Sequence, residues 1–326
     1  MAEFTPTLGL SAEQAEEVVR IAGEAPSLHN RQPWRLRLLP RSIELHYDPG
    51  ARLPATDPRE RELRIGCGAA LLNLRLALEH EGISPLVTLL PSTGAESALA
   101  EIRGEGSSNM SPQQRVLYRA IADRHTNRRP FRETPVPVEQ RSSLLESVER
   151  EGCWPHIVER GELGRLEGMV HRAHRAQLAD PRFREELAEW TGHTAEVSEG
   201  VPASAAGPER EPQDQWVLRD YSAGKAKPRV PGKDFEYDPL LLVVCSYHEG
   251  RAAELRAGQA LQRTLLTATA NGLVASLMSQ VIEIDETREE LRRMLGGSLR
   301  PQVLLRVGHG SRTAPTPRHE PRELLL

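Results

Sequence analysis

Apolar residues recur at helical spacing behind Ser11-Ala12-Glu13-Gln14, where Ala15, Val18, Val19 and Ala22 fall on one side. Ser11 with Gln14 forms a capping box, so the spacing predicts a helix running to about Gly23. Trp34, Leu36 and Leu38 then alternate with Arg35 and Arg37, and Ile43, Leu45 and Tyr47 alternate with Glu44 and His46. Joined by Pro40-Arg41, the two runs predict a β-hairpin. Asp57-Pro58 with Glu60 reads as an N-cap and first-turn proline for a helix carrying Leu63, Ala70, Leu71, Leu74 and Leu78. That helix should stop at Gly82. Short strands are expected at 86–90 and 99–103, and Ser111-Pro112 opens a helix with Val116, Leu117 and Ile121 on one side. Helices are expected over 138–150 and 161–190, with a strand near His156–Glu159 between them.

Leu240–Cys245 is continuously apolar and predicts a buried strand. A long helix ending at Gly272, a helix carrying Leu291 and Leu295, and a strand over Pro301–Val307 complete the pattern. Between them, segment 192–238 is rich in proline and glycine and loses all periodicity. A gap of this length inside a compact domain reads as a lid, a binding loop or a disordered stretch. Trp216, Tyr221, Phe235 and Tyr237 lie in it, and disordered linkers are poor in aromatics. They are expected to dock on an apolar surface. Glu283, Asp285, Glu286, Glu289 and Glu290 read as a solvated acidic helix face.

An internal echo organises these elements. Gly68-x-Ala70-Leu71 precedes Gly82-Ile83 by the interval at which Gly258-x-Ala260-Leu261 precedes Gly272-Leu273, and the offset is constant (258 − 68 = 272 − 82 = 190). Pro85, Val87 and Leu89 are matched by Pro301, Val303 and Leu305, with an extra helix intervening in the second copy. Duplication of this kind predicts two halves packed about a pseudo-twofold axis, like a symmetric dimer fused into one chain. The halves are placed at 1–110 and 111–326, the second carrying 192–238 as an insertion.

Composition narrows the class. With 326 residues and 38% hydrophobic content the chain can bury a sizeable core. A net charge of −4 argues against a nucleic-acid partner. Cys67, Cys153 and Cys245 form no CxxC pair, which points to neither a disulfide scaffold nor structural zinc. His171 and His174 lack the H-E-x-x-H context of a catalytic metal. No apolar run suits a membrane span and no signal pattern opens the chain, so a cytoplasmic location is expected.

Two motifs carry chemistry. In Arg124-His125-Thr126-Asn127-Arg128-Arg129-Pro130-Phe131, alternate Arg124, Thr126 and Arg128 can point to one side of an extended segment. Forked guanidiniums and a hydroxyl suit phosphate oxygens or the carbonyl edge of a planar heterocycle, although such a run also occurs as a solvated basic loop. In Ala25-Pro26-Ser27-Leu28-His29-Asn30-Arg31-Gln32-Pro33-Trp34, Asn30 and Gln32 can both donate and accept, or else merely stabilise a turn. Trp34 is better read as core. Gly66-Cys67-Gly68 is too short for a dinucleotide fingerprint and reads as structural.

These motifs resemble the R-x-S-x-R and P-S-x-x-N-x-Q-P-W signatures of FMN-binding nitroreductases. Each motif occurs in only one half, so one set of flavin contacts can be assembled per chain. With Gly66-Cys67-Gly68-Ala69-Ala70, the pattern is similar to the single-chain, dormancy-associated Acg branch found in actinobacteria. The resemblance implies an α+β nitroreductase-like fold, one non-covalent FMN, and a monomer containing its own pseudo-dimer interface. It implies that Ser27, Asn30, Gln32, Arg124, Thr126 and Arg128 touch the cofactor, with Thr126 replacing serine and keeping the hydroxyl. Arg318 in Thr316-Pro317-Arg318 resembles the basic residue placed on the phosphate, where a solvated tail charge is the other reading. Ser276, Ser279 and Gln280 stand where relatives present backbone N–H groups to flavin N5 and O4, and Ser279-Gln280 replaces the usual Glu-Gly. No side chain is assigned as catalytic, because the cofactor carries the chemistry. Two functions stay open: FMN storage or sequestration with little reductase activity, and an NAD(P)H-dependent oxidoreductase acting on quinones or nitro compounds.

Overall fold

A computed structural model describes residues 3–92, 98–194, 196–211, 214–216, 218–226, 236 and 238–326. Helix α1 (Ala12–Gly23) begins at the expected capping box, with the Ser11 hydroxyl accepting from the Gln14 N–H. Strands β1 (Trp34–Leu39) and β2 (Ser42–Tyr47) form the expected hairpin, pairing Leu39 with Ser42 across a two-residue turn. Helix α2 (Arg61–His80) starts later than Pro58 suggests. Asp57 still serves it from outside, its carboxylate accepting from the N–H groups of Arg61 at 2.8 Å and Leu63 at 2.9 Å. Strands β3 (Ile83–Leu89) and β4 (Ala100–Ser107) complete an antiparallel sheet of order β1-β2-β4-β3. Helix α3 (Pro112–Asp123) then delivers the chain to Arg124.

Helix α4 (Val138–Glu149) and strand β5 (Trp154–Ile157) follow. The expected helix over 161–190 is two helices, α5 (Leu163–Ala179) and α6 (Pro181–Glu189). Pro181 cannot donate into the preceding turn, and the Asp180 carboxylate caps the new helix through the Arg182 N–H. Short strands β6 (Thr191–His193) and β7 (Val201–Pro202) pair with each other. Strand β8 (Leu240–Ser246), helix α7 (Arg251–Ala270), strand β9 (Val274–Leu277), helices α8 (Gln280–Glu283) and α9 (Asp285–Met294), and strand β10 (Arg300–Gly308) follow. The second sheet has the order β5-β8-β10-β9. No helix among the described residues is long and apolar enough to cross a membrane.

The fold is therefore α+β with two fused halves, and the sheet orders match strand for strand. That match corrects one expectation. Strand β9 follows Gly272 directly and occupies the edge position of β3, whereas Pro301–Leu305 lies in β10, the counterpart of β4. The Pro-x-Val-x-Leu likeness is thus not part of the repeat, while the helix-to-glycine likeness is. Strand β8 is apolar from Leu240 to Cys245 because both its faces are covered. Leu242 and Val244 pack into one core with Leu261 and Leu265 of α7, and Leu241 and Val243 into another with Met169 and Val170 of α5.

Helices α2 and α7 cross at the pseudo-dyad with their backbones in contact. A Cβ on Gly68 would lie 2.2 Å from the Leu255 carbonyl oxygen, and one on Gly258 would lie 2.0 Å from that of Ile65. The residues are reciprocal under the repeat (65 + 190 = 255), as a twofold contact requires. Arg64 and Glu254, also related by 190, pair beside it.

Because neither backbone can retreat, Gly68→Ala should destabilise the fold by about 1–3 kcal/mol or more, the usual range for overpacking. Gly164 in α5 has open space at its Cβ position, so Gly164→Ala should be neutral or stabilising by up to about 1 kcal/mol. Urea unfolding of both variants measures the contrast, and equal midpoints would contradict the close crossing.

Candidate functional site

The loop before β1 holds non-glycine residues in left-handed backbone at His29 (φ 49), Asn30 (φ 56) and Gln32 (φ 46). Such conformations cost on the order of 1–3 kcal/mol each and persist only where the surroundings impose them. Ser27 imposes this one, its hydroxyl accepting from the Gln32 N–H at 2.9 Å and its carbonyl from the Asn30 N–H at 3.1 Å. The loop sits on α2 at Gly66, where an added Cβ would be in van der Waals contact with Ser27 and Pro33 at 3.4 and 3.6 Å.

Across from it, the chain after α3 is extended. Thr126 bridges to Ala275 of β9, and the Asn127 N–H donates to the Ala275 carbonyl at 2.9 Å. This lays Thr126 and Arg128 beside Ser276 and Leu277. The C-terminal segment closes the third side. Asn30 Nδ2 donates to the Pro317 carbonyl at 3.0 Å, and Arg318 donates to Asn30 Oδ1 at 2.8 Å.

Together these walls make one elongated cleft with two unlike ends. Its broad end encloses about 580 Å³ of space, open solvent at the mouth included, and is lined by Leu28, His29, Glu62, Ile65, Gly66, Tyr221, Leu261, Ser276, Leu277 and Ser279. Its narrow end, about 350 Å³ on the same basis, is lined by Asn30, Arg124, His125, Thr316 and Arg318. Ser27, Thr126 and Arg128 border both.

The narrow end gathers positive charge, of which Arg124 is the least compensated. Burial, reinforced by the neighbouring Arg318, pushes the Arg124 guanidinium down to about 9 against the opposing pull of Glu24. Its contact with the Glu24 carbonyl is long, at 3.4 Å, and its Nε has no partner. Arg318 is lowered by burial too; its Nε meets the Glu24 carboxylate at 3.8 Å, while its other nitrogens donate to Asn30 Oδ1, the Thr316 hydroxyl and the Pro317 and Glu24 carbonyls. Arg128 is lowered by burial, opposed by the Tyr221 phenol, and donates to the Ala205 carbonyl at 2.9 Å. A buried charge without a paired carboxylate is costly, and an anion beside Arg124 would relieve that cost. Arg318 is therefore largely enclosed and not a solvated tail charge.

The broad end mixes apolar surface with two protic groups. His29 is buried with both ring nitrogens unpartnered; burial, then Arg219, Arg128 and Arg31, hold it well below its ordinary range, so it is neutral. Burial, then Glu283 and Asp57, push the Glu62 carboxyl up to about 8. Behind it Glu283 pairs with Arg219 at 2.6 Å, both side chains almost wholly buried. That overturns the reading of Glu283 as part of a solvated acidic face. Burial works against the Arg219 charge, but Glu283 and the Tyr221 phenol together outweigh it and raise its affinity for the proton.

Of the residues singled out by sequence, Ser27, Asn30, Arg124, Thr126, Arg128, Ser276, Ser279 and Arg318 meet in the cleft. Gln32 and Gln280 are buried outside its lining. The Gln32 amide is used internally, donating to the Ser198 carbonyl at 2.7 Å and accepting from the His319 N–H at 2.9 Å. Of the insertion aromatics, Tyr221 lines the cleft, whereas Trp216 packs with Val158, Leu166 and Met169. Phe235 and Tyr237 lie outside the described residues. His29 and Glu62 were missed. Glu62 had a signal, an acid one turn before Ile65 and Gly66 on the face of α2 that the loop covers.

No family model matches the chain. Among curated proteins, a Mycobacterium tuberculosis protein named "Putative NAD(P)H nitroreductase" is 34% identical over 331 residues, covering 96% of this chain and 93% of the relative. A second protein of the same organism, named "Putative NAD(P)H nitroreductase acg", is 30% identical, covering 97% of this chain and 95% of the relative. Among solved structures, an FMN-bound nitroreductase from Bacteroides fragilis aligns at 15% identity over 61% of this chain and 90% of its own, with a TM-score of 0.37. One from Desulfitobacterium hafniense, also with bound FMN, reaches 16% identity and a TM-score of 0.38 over 64% and 94%.

Since Arg124 sits buried without a carboxylate partner, Arg124→Met should leave the ligand-free protein as stable or more stable, by on the order of 1 kcal/mol. Inorganic phosphate should raise the wild-type unfolding midpoint and leave the variant's nearly unmoved. Thermal melts across a phosphate series read both, and a variant stabilised as much as wild type would contradict the anion site.

Proposed function

This chain belongs to the nitroreductase family, and from that premise we propose that it binds one FMN in the cleft and holds it with little reductase activity. The observation that carries the reading is the guanidinium of Arg124, buried with no carboxylate paired to it and its Nε unpartnered, beside that of Arg318 at one end of an elongated cleft whose other end mixes apolar and polar groups. An FMN phosphate carries close to two negative charges, as phosphate monoesters do at neutral pH. Arg124 and Arg318 would bind it, assisted by the hydroxyls of Ser27, Thr126 and Thr316. The isoalloxazine would occupy the broad end, with Arg128 near its polar edge and Ser276 and Ser279 beside it. Bound FMN supplies hydride chemistry, and the chain supplies binding, orientation and exclusion of water.

Sequestration is favoured by what crosses the cleft. The Ser198 carbonyl accepts from Asn30 at 3.2 Å and from Gln32 at 2.7 Å, and Ala205 accepts from Arg128. Gly207 abuts this arginine so closely that a Cβ would fall 2.8 Å from the Arg128 carbonyl. Tyr221 meets the Arg128 guanidinium at 4.5 Å from its ring centroid. The described part of segment 192–226 thus bonds to the same residues that would hold the flavin, which limits the access that nicotinamide and substrate need in turn. An active NAD(P)H oxidoreductase is the second reading, supported by the names of the relatives.

Arg124→Ala and Arg318→Ala should each weaken FMN retention at least tenfold, since that needs only about 1.4 kcal/mol and a charge-assisted contact contributes roughly 1.5–3 kcal/mol. Flavin fluorescence after gel filtration measures it, and undiminished flavin in the double variant would refute the site. Under anaerobic NADPH the wild type should stay yellow, and Tyr221→Ala should bleach at least tenfold faster in stopped-flow absorbance. Equal rates would shift the cause of slow reduction to Ser279-Gln280.

A further inference from the structure

Glu62 stands apart from everything the binding model uses. It lies in the first turn of α2, is only 8% exposed, and lines the broad end of the cleft with Ser276, Ser279 and Tyr221. Among the described residues its carboxyl takes part in no hydrogen bond or ion pair. Acids face it from two directions, Glu283 of α8 and Asp57 of the preceding loop, while Arg61 and Arg219 face it as cations. Glu283 is already committed to Arg219 and Asp57 to the α2 backbone, so neither can share its own proton-binding site with Glu62 at no cost. A buried carboxyl crowded by two acids and aimed into a cleft is best accommodated neutral.

We propose that Glu62 is the proton-carrying residue of this cleft, donating a hydrogen bond to the ring held there and taking up a proton from water when that ring gains negative charge on reduction. The inference rests on the reading of the cleft as a flavin site. In balance, a reduced nicotinamide or other hydride donor delivers two electrons and one proton to the ring. The additional proton goes from solvent to the Glu62 carboxylate wherever that group is ionised beforehand, and is released on reoxidation. With the carboxyl titrating near 8 before reduction, the coupling appears above about that pH. His29, Arg128 and Tyr221 border the same space, and none of them brings a second acid.

The test is a pH series of the midpoint potential of the FMN-loaded protein, equilibrated against redox dyes, for wild type and Glu62→Gln. Above about pH 8 the wild-type reduction constant should fall up to tenfold more per pH unit than the variant's, about 30 mV per unit for a two-electron couple. Parallel lines for the two proteins, or a wild type with no added step, would overturn the proposal. Unfolding of flavin-free protein is an independent readout. A carboxyl whose folded value is raised binds more protons folded than unfolded between about 4.5 and 8, so it loses stability as pH rises through that window. The stability advantage of Glu62→Gln should therefore grow from pH 5 to pH 8, and a constant difference would overturn the proposal. Should the protein hold no flavin, the binding reading fails by itself, and the unfolding series still decides the state of Glu62.

Discussion

Everything in this molecule is referred to the crossing of α2 and α7. Gly68 and Gly258 let two helices meet backbone to backbone, each glycine lying against the carbonyl one turn before its counterpart. Side chains of ordinary size would hold the axes apart by the 8–10 Å typical of helix pairs. The close approach brings Ile65 and Gly66 of one helix and Leu261 of the other to the floor of the same cleft. The site is therefore a property of the interface between halves. Its polar contacts come from a loop of the first half and from β9 and the 124–128 segment beyond it.

Duplication would ordinarily produce two such clefts, and local chain length explains the single motif set. Ten residues connect α1 to β1 (34 − 23 − 1), room for the strained Ser27–Gln32 turn, whereas only four connect α4 to β5 (154 − 149 − 1). The second half has no space for the equivalent loop. It contributes the insertion instead, whose Ser198 carbonyl lies on Asn30 of the first half and whose Ala205 carbonyl and Tyr221 ring lie on Arg128. Symmetry was retained where packing required it and abandoned where a ligand would sit.

Much of this was legible in the chain. Capping boxes, the alternating hairpin and the glycine echo each rest on local physics that tertiary contacts reinforce, and the alternate Arg124, Thr126 and Arg128 do share one side. What escaped was decided by distant partners. Asp57 caps α2 from four residues outside it, which a pattern of N-cap and first-turn proline mimics. Glu283 looked solvated beside Asp285 and Glu286 because Arg219, its partner, sits in a stretch without periodicity. Gln32 carries the motif but spends its amide on Ser198 and His319, contacts that no spacing rule anticipates. The Pro-x-Val-x-Leu match failed because a two-residue period is common to any half-buried strand.

The central claim is that two fused halves make one ligand site. Flavin quantitation combined with light scattering on the protein reconstituted with excess FMN tests it most directly. One flavin per chain in a monomer of 36.3 kDa is the expected result. Two flavins per chain would contradict the split-motif site, and flavin bound only in an obligate dimer would contradict the internal interface.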